Sequence, residues 1–294
     1  MKTMLSLIGE QPLPNLLMLK HIDPDEVILA YTAFTEKVCE KIRKLYPNKT
    51  SAIKINDPYD IVKILPEIRE IFAQRNEIIF NLTGGTKPMA LAAYSLALEM
   101  KMPFVYLQSE GGKSIAYQYA FKPYNLMTDL TVEKVEVSKN ITIDEYLRIY
   151  LGEYNKEDLK NDFENTLSKI LEEAKRNSIF DEVENSIKHG GALEIDFIVR
   201  HKNQFTIIEA KTGKTGRSKE GINQLNTAAE QRYLGTYIKK ILVIEGEMGS
   251  NLKELAKEHK IEVIEIFSWD NERKEISGEE KQNLVAKISQ LLGE

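Results

Sequence analysis

The chain has 294 residues, 40 basic and 45 acidic, a net charge of −5 and one cysteine, Cys39. That length predicts two domains of about 140 residues each. The charge balance excludes a general basic footprint for nucleic acid, and a lone thiol excludes an internal disulfide or a thiolate zinc site. The first apolar run is too short for a signal peptide and no later stretch approaches bilayer length, so a cytoplasmic protein without membrane contact is expected.

From the start, β-type apolar runs at Met4 to Ile8, Val27 to Tyr31, Ala52 to Ile55, Ile78 to Leu82 and Phe104 to Leu107 alternate with amphipathic helical runs. The helices are Phe34 to Tyr46, Tyr59 to Ala73 and Met89 to Met100. Such alternation predicts a Rossmann-like α/β domain with a parallel sheet covered on both faces. Glu110-Gly111-Gly112-Lys113 then turns the chain into an antiparallel addition, Ser114 to Ala120, near the sheet edge. Asn81-Leu82-Thr83-Gly84-Gly85-Thr86-Lys87-Pro88-Met89 follows a strand and opens a helix. Two glycines admit close backbone approach, Thr86 can cap the helix, Pro88 suits its first turn, and the helix N-terminus with Lys87 favours an anion. The loop Gly9-Glu10-Gln11-Pro12 and Thr32 leave two other strands at their carboxyl ends, where open α/β sheets bind ligands, so three loops are expected around one crevice.

The first domain is expected over residues 1–137, a helical connector over 138–157 carrying Asp144 to Leu151 and ended by Gly152, and a second domain over 158–294. In that domain Leu193, Ile195, Phe197 and Val199 alternate with Glu194 and Asp196, and Phe205 to Lys211 is a second β-type run after the short polar loop 201–204. If Arg200 faces Phe205, Asp196 lies opposite Glu209 and Glu194 opposite Lys211, with side chains roughly 5 Å apart. Facing carboxylates repel unless a proton or a metal sits between them. Mg²⁺ or Mn²⁺ suits Asp196 and Glu209, since these ions take one or two carboxylates and leave positions for water and phosphate oxygens. Lys211 would add positive charge beside an attacked phosphate, which points to phosphodiester hydrolysis. Glu164, on a helical stretch from Glu157 to Lys175, could bring another carboxylate, and Gln224 opens a helix through Arg232.

A helix bearing Glu, a hairpin bearing D…ExK and a helix with Gln near its start resemble the PD-(D/E)xK nuclease superfamily over roughly residues 155 to 270, implying a restriction-endonuclease-like α/β domain. With Leu7-Ile8-Gly9-Glu10-Gln11-Pro12-Leu13-Pro14-Asn15-Leu16 and the Asn81 to Met89 loop ahead of it, the chain resembles the CARF-domain nucleases of type III CRISPR systems. That resemblance implies a homodimer binding a cyclic oligoadenylate, usually cyclic tetra-adenylate, which switches on a metal-dependent nuclease acting on RNA or DNA. It places Gly9, Gln11, Thr32, Thr83, Gly84, Gly85, Thr86 and Lys87 on ligand loops. On the catalytic motif it places Asp196, Glu209 and Lys211, with Glu164 and Gln224 in support.

Two alternatives belong to other classes: a sensor that binds nucleic acid without cutting it, and an ungated repair or restriction nuclease. The intact D…ExK set opposes the first and the intact Thr-Gly-Gly-Thr-Lys loop opposes the second. His21, His189, His201 and His259 are not at ligand spacing from one another, so a His-based metal site is not expected. The basic loop Lys211 to Lys219 could guide a nucleic-acid backbone, and Tyr233, Tyr237 and Trp269 could stack bases.

Overall fold

A computed structural model describes residues 1–72, 75, 77–110, 112–124, 127–191, 193–213, 218–230 and 232–293. The chain divides into two compact units, Met1–Ile141 and Thr142–Glu294. The first runs β1 (Lys2–Leu7), α1 (Leu13–Ile22), β2 (Glu26–Tyr31), α2 (Glu36–Leu45), β3 (Thr50–Lys54), α3 (Ile61–Phe72), β4 (Glu77–Asn81), α4 (Lys87–Met100), β5 (Phe104–Glu110), β6 (Lys113–Tyr124) and β7 (Met127–Glu136). Its sheet has the order β3-β2-β1-β4-β5-β6-β7, parallel through β5 and antiparallel thereafter. The order reverses at β1, which pairs with β2 on one side and β4 on the other, so the loops after β1 and β4 flank the crevice where such sheets take ligands. β1 is buried on both faces, Met4 and Ser6 on one and Leu5 and Leu7 on the other, because helices cover both sides. The strand β7, which the apolar pattern alone did not reveal, mixes apolar, polar and charged residues without strict alternation and pairs along β6 at the sheet edge.

The second unit runs α5 (Ile143–Leu151), β8 (Asn155–Lys156), α6 (Asp162–Arg176), β9 (Glu182–His189), β10 (Leu193–His201), β11 (Gln204–Lys211), α7 (Glu220–Ala228), β12 (Lys239–Glu245), α8 (Ser250–Glu258), β13 (Ile261–Ile266) and α9 (Gly278–Leu292). Its sheet order is β13-β12-β11-β10-β9-β8, with β11 to β13 parallel and the rest antiparallel. Phe163 and Leu167 of α6 and Leu284 and Ile288 of α9 pack on Phe197, Ile208 and Val243 of the sheet. Each such side chain contributes about 1.5–3 kcal/mol on burial.

Helix α5, expected as a connector, belongs to this unit. Thr142 and Glu145 form a reciprocal capping box, Ile143 N donates to Glu182 Oε2 at 2.6 Å, Tyr146 stacks on Phe205 with centroids 4.1 Å apart, and Tyr146 Oη donates to the Leu234 carbonyl at 2.6 Å. Its apolar face reads equally well as a connector or as a packed helix; only the tertiary partners decide. Helix α6 begins later than the expected Glu157, because Asn155 and Lys156 pair with β9 and Asn161 then caps the helix. The helix carrying Gln224 starts four residues earlier than expected and ends at Ala228, so Gln224 sits mid-helix. The C-terminal helix starts at Gly278, after the Ser277 cap.

Candidate functional site

In the first unit, Gly9 and the Gly84-Gly85 pair lie against each other: a Cβ on Gly9 would stand 3.4 Å from Gly85 N, and one on Gly84 only 2.2 Å from the Leu7 carbonyl oxygen. Gly85 has a φ of 76°, the left-handed region that side chains disfavour. The two loops therefore close-pack backbone on backbone. Thr83 and Thr86 spend their hydroxyls within the fold. Thr83 Oγ1 donates to Asn81 Oδ1 (2.6 Å) and accepts from Leu107 N (2.9 Å); Thr86 caps α4 through Met89 N (3.3 Å) and donates to the Pro58 carbonyl (2.5 Å). Lys87 is exposed at the first turn of α4, where the helix dipole favours an anion. Gln11 is half-buried in the loop after β1. Thr32 is buried, its N–H bonded to Thr35 Oγ1 at 2.9 Å, so it orders the loop after β2.

The motif reading missed two further features of this loop end. Ser6 Oγ donates to Asn15 Oδ1 (2.7 Å), and Asn81 Nδ2 donates to Ser6 Oγ (2.9 Å) and Asn15 Oδ1 (3.1 Å), which ties β1, β4 and α1 together where the strand order reverses. The signal was present, since Ser6 and Asn81 interrupt apolar strands and face each other in register. Phe34, after β2, and Tyr59, between β3 and α3, are 82% and 69% exposed, aromatic faces on loops at the carboxyl ends of their strands.

In the second unit, Arg200 pairs with Phe205 as expected, and the ladder runs back to Phe197 and Ile208. Beyond it the backbone pairing gives way to a side chain: Asp196 Oδ2 accepts from Ala210 N at 2.8 Å. Asp196 and Glu209 are 5% and 2% exposed. Burial first, then the facing Asp196, pushes the Glu209 carboxyl up to about 8. Burial, with Glu164 nearby, raises Asp196 to about 6 against the lowering effects of the Ala210 N–H and Lys211. Lys211 Nζ lies 2.6 Å from Glu209 Oε1, close enough for an ion pair, although that oxygen has no well-directed hydrogen bond. Glu164 is buried at the start of α6. Its carboxylate accepts from Lys160 N (2.8 Å) and Asn161 Nδ2 (2.6 Å), and Asn161 Oδ1 caps Glu164 N (2.9 Å). It acts on Asp196 by charge and is engaged by its own loop.

Glu194 departs from expectation. It faces Lys188 of β9 and pairs with the ammonium groups of Lys160 and Lys188 instead of Lys211. Trp269 also departs: half-buried, its ring packs edge-on against Phe163, centroids 5.3 Å apart, at the margin of the core. Tyr233 lies under the Arg232 guanidinium, while Tyr237 is exposed. Residues 214–217 of the basic loop lie outside the described residues.

Among the described residues no three Asp, Glu, His or Cys side chains converge into a ready-made metal cage. The donor set of Asp196 and Glu209, two buried carboxylates of which Glu209 is raised partly by the neighbouring Asp196, fits Mg²⁺ or Mn²⁺ with water and phosphate completing the shell. A pH dependence follows. Both carboxyls hold protons above their ordinary values of 3.8 and 4.5, so between about pH 4 and pH 8 the folded chain binds more protons than the unfolded one and stability falls as pH rises. Thermal melting in chelator should show the second unit losing stability from about pH 5 to about pH 8, with a flatter profile in Asp196→Asn. A profile equally steep in the variant contradicts the pairing.

Residues 3–146 match the family model described as the Card1 CARF domain. No curated protein sequence matches the chain. Among solved structures, Can2 from Sulfobacillus thermosulfidooxidans, determined with cyclic tetra-adenylate, superimposes with a TM-score of 0.74 at 15% identity, covering 100% of this chain and 98% of its own. VC1899 from Vibrio cholerae gives 0.71 at 13% identity, covering 99% of each chain. A type III CRISPR defence DNA nuclease activated by cyclic oligoadenylate gives 0.57 at 16% identity, over 84% of this chain and 46% of its own. At these identities the likeness is one of fold. Among the described residues no helix is long and apolar enough to cross a membrane.

Proposed function

We propose, from the match of residues 3–146 to the Card1 CARF domain model, that the chain is a nuclease of type III CRISPR defence, gated by a cyclic oligoadenylate and dependent on a divalent metal. The observation that carries this reading is the buried Asp196–Glu209 pair with Lys211 beside it, on a chain whose other unit is a CARF domain. Cyclic tetra-adenylate is the proposed activator, as in the Can2 structure. Gly9, Gly84 and Gly85 let it approach the backbone, Lys87 meets its phosphates, and Phe34 and Tyr59 offer faces to its adenines.

Asp196 and Glu209 would hold Mg²⁺ or Mn²⁺. Bound there, the metal supplies a more acidic water and neutralises charge developing on phosphorus. Lys211 adds a second positive charge at the attacked phosphate, Glu164 keeps the electrostatics around Asp196, and the Ala210 N–H fixes the Asp196 carboxylate. A two-fold ligand needs two identical half-sites, which argues for a homodimer. Leu91 and Leu98, seven residues apart on α4 and 55% and 39% exposed, form an apolar stripe on the helix whose N-terminus carries the ligand loop. Purified protein with Mn²⁺ or Mg²⁺ should cut labelled RNA or DNA strongly when cyclic tetra-adenylate is added and weakly without it. Binding without cutting would favour a regulator.

A further inference from the structure

Two lysines act by charge on Asp196, and only one of them, Lys211, belongs to the catalytic motif. The other is Lys160, exposed in the loop between β8 and α6, whose ammonium pairs with Glu194, two residues before Asp196 on β10. Its backbone N–H donates to Glu164 Oε2 at 2.8 Å. Although burial works against it, Glu194, Asp196 and Glu164 hold the Lys160 ammonium above its ordinary value, so a full positive charge stands near the carboxylate pair.

Glu194 does not depend on Lys160 alone. Lys188 faces it across the β9–β10 ladder with Nζ at 3.7 Å, and Glu157 holds that second ammonium at 2.6 Å. Lys160 can therefore turn to another anion without leaving the carboxylate bare, and its ammonium has three N–H donors with which to do so. Space for the anion lies alongside, in a cleft of about 590 Å³ lined by Lys188, Glu194, Glu220 and the Gly190-Gly191 backbone, where an added Cβ would meet nothing within 4 Å. Glu220 also stands 3.8 Å from Lys211 Nζ, so the cleft adjoins the surroundings of both lysines.

Charge narrows the path of a strand. Glu157, Glu164, Glu194, Asp196, Glu209 and Glu220 crowd this end of the unit, and a polyanion comes near only where ammonium groups or a metal offset them. Two residues along a β-strand span about 7 Å, comparable with one step between successive phosphates of an extended strand. A phosphate placed at Asp196, Glu209 and Lys211 therefore sets its neighbour beside Glu194 and its partner Lys160.

Resting on the nuclease reading, we infer that Lys160 binds the phosphate next to the scissile one, and that Glu194 holds its ammonium until the strand arrives and then yields it. Lys160 thus sets the register of the strand on the carboxylate pair, and Glu194 competes with the strand for it.

The test is cleavage, in Mn²⁺ and cyclic tetra-adenylate, of an end-labelled single strand, RNA or DNA, whichever the wild-type chain cuts. Lys160→Ala should raise KM about fivefold with kcat within about twofold, and should make the fall of log(kcat/KM) with log salt shallower by about 0.7. Lys160→Arg should restore both. Glu194→Gln should act the other way, lowering KM about threefold, because the freed ammonium meets the strand unopposed. One methylphosphonate in the strand, which removes a single phosphate charge, should weaken cutting at the linkage on one side of it in the wild type and leave that linkage unaffected in Lys160→Ala. The bond from Lys160 N to Glu164 survives these side-chain changes, so both variants should melt with the wild type. A salt dependence unmoved in Lys160→Ala, a KM that rises in Glu194→Gln, or a methylphosphonate effect identical in the wild type and Lys160→Ala overturns the inference. If Asp196→Asn still abolishes cutting in that case, the nuclease reading survives and the Lys160 contact alone is lost. If the wild-type chain cuts nothing, the nuclease reading fails and the inference falls with it.

Discussion

Asp196→Asn should reduce cleavage by at least about 10³-fold while leaving affinity for cyclic tetra-adenylate within about twofold. The asymmetry follows from the architecture. Asp196 belongs to the second unit and the loops proposed to hold the ligand to the first. Its carboxylate is buried, raised by its surroundings and tied by one oxygen to Ala210 N. The amide keeps the size and an acceptor oxygen but removes the charge that opposes a cation, so loss of activity without loss of fold isolates the electrostatic role. Glu209→Gln should behave alike. Comparison of single-turnover cleavage with ligand binding by calorimetry checks both, and near-normal cutting by either variant would remove the metal assignment.

Gly84→Ala should do the reverse. The added methyl would stand 2.2 Å from the Leu7 carbonyl oxygen and 2.9 Å from Gly9 N, both backbone atoms of the neighbouring strand and its loop. Nothing flexible can yield, so the two loops must separate, at a cost of about 3 kcal/mol and a melting temperature roughly 10 °C lower for the first unit. Ligand affinity should fall at least tenfold, about 1.4 kcal/mol or more. The second unit should melt as before. Unchanged ligand binding in a folded Gly84→Ala protein would mean that the close approach of these loops does not form the site.

Much of this was legible in residue order because it rests on local chemistry. The Rossmann-like alternation reads directly from apolar runs, and the β10–β11 register follows from a short polar loop between two strands, so the facing of Asp196 and Glu209 could be anticipated. What the sequence concealed depended on third parties. Glu194 was expected opposite Lys211, but two lysines from β9 and the loop before α6 claim it. Trp269 looked available for stacking, yet Phe163 of a distant helix takes its ring. Helix α5 carries no sign of its domain until Phe205 and Leu234 are seen against it. The buried Ser6–Asn15–Asn81 network was hinted at by polar residues within apolar strands, but that it ties β1, β4 and α1 together needs the strand order. The exposure of Phe34 and Tyr59 likewise appears only once the sheet edge and helices are assembled.

The most direct measurement is the rate of cleavage of a labelled single strand by the purified chain in Mn²⁺, titrated with cyclic tetra-adenylate, with Asp196→Asn in parallel. The account predicts a rate that rises with ligand to a plateau, vanishes when the metal is chelated and is absent in the variant at every ligand concentration. A rate that is the same with and without ligand, or that persists in Asp196→Asn, would contradict it.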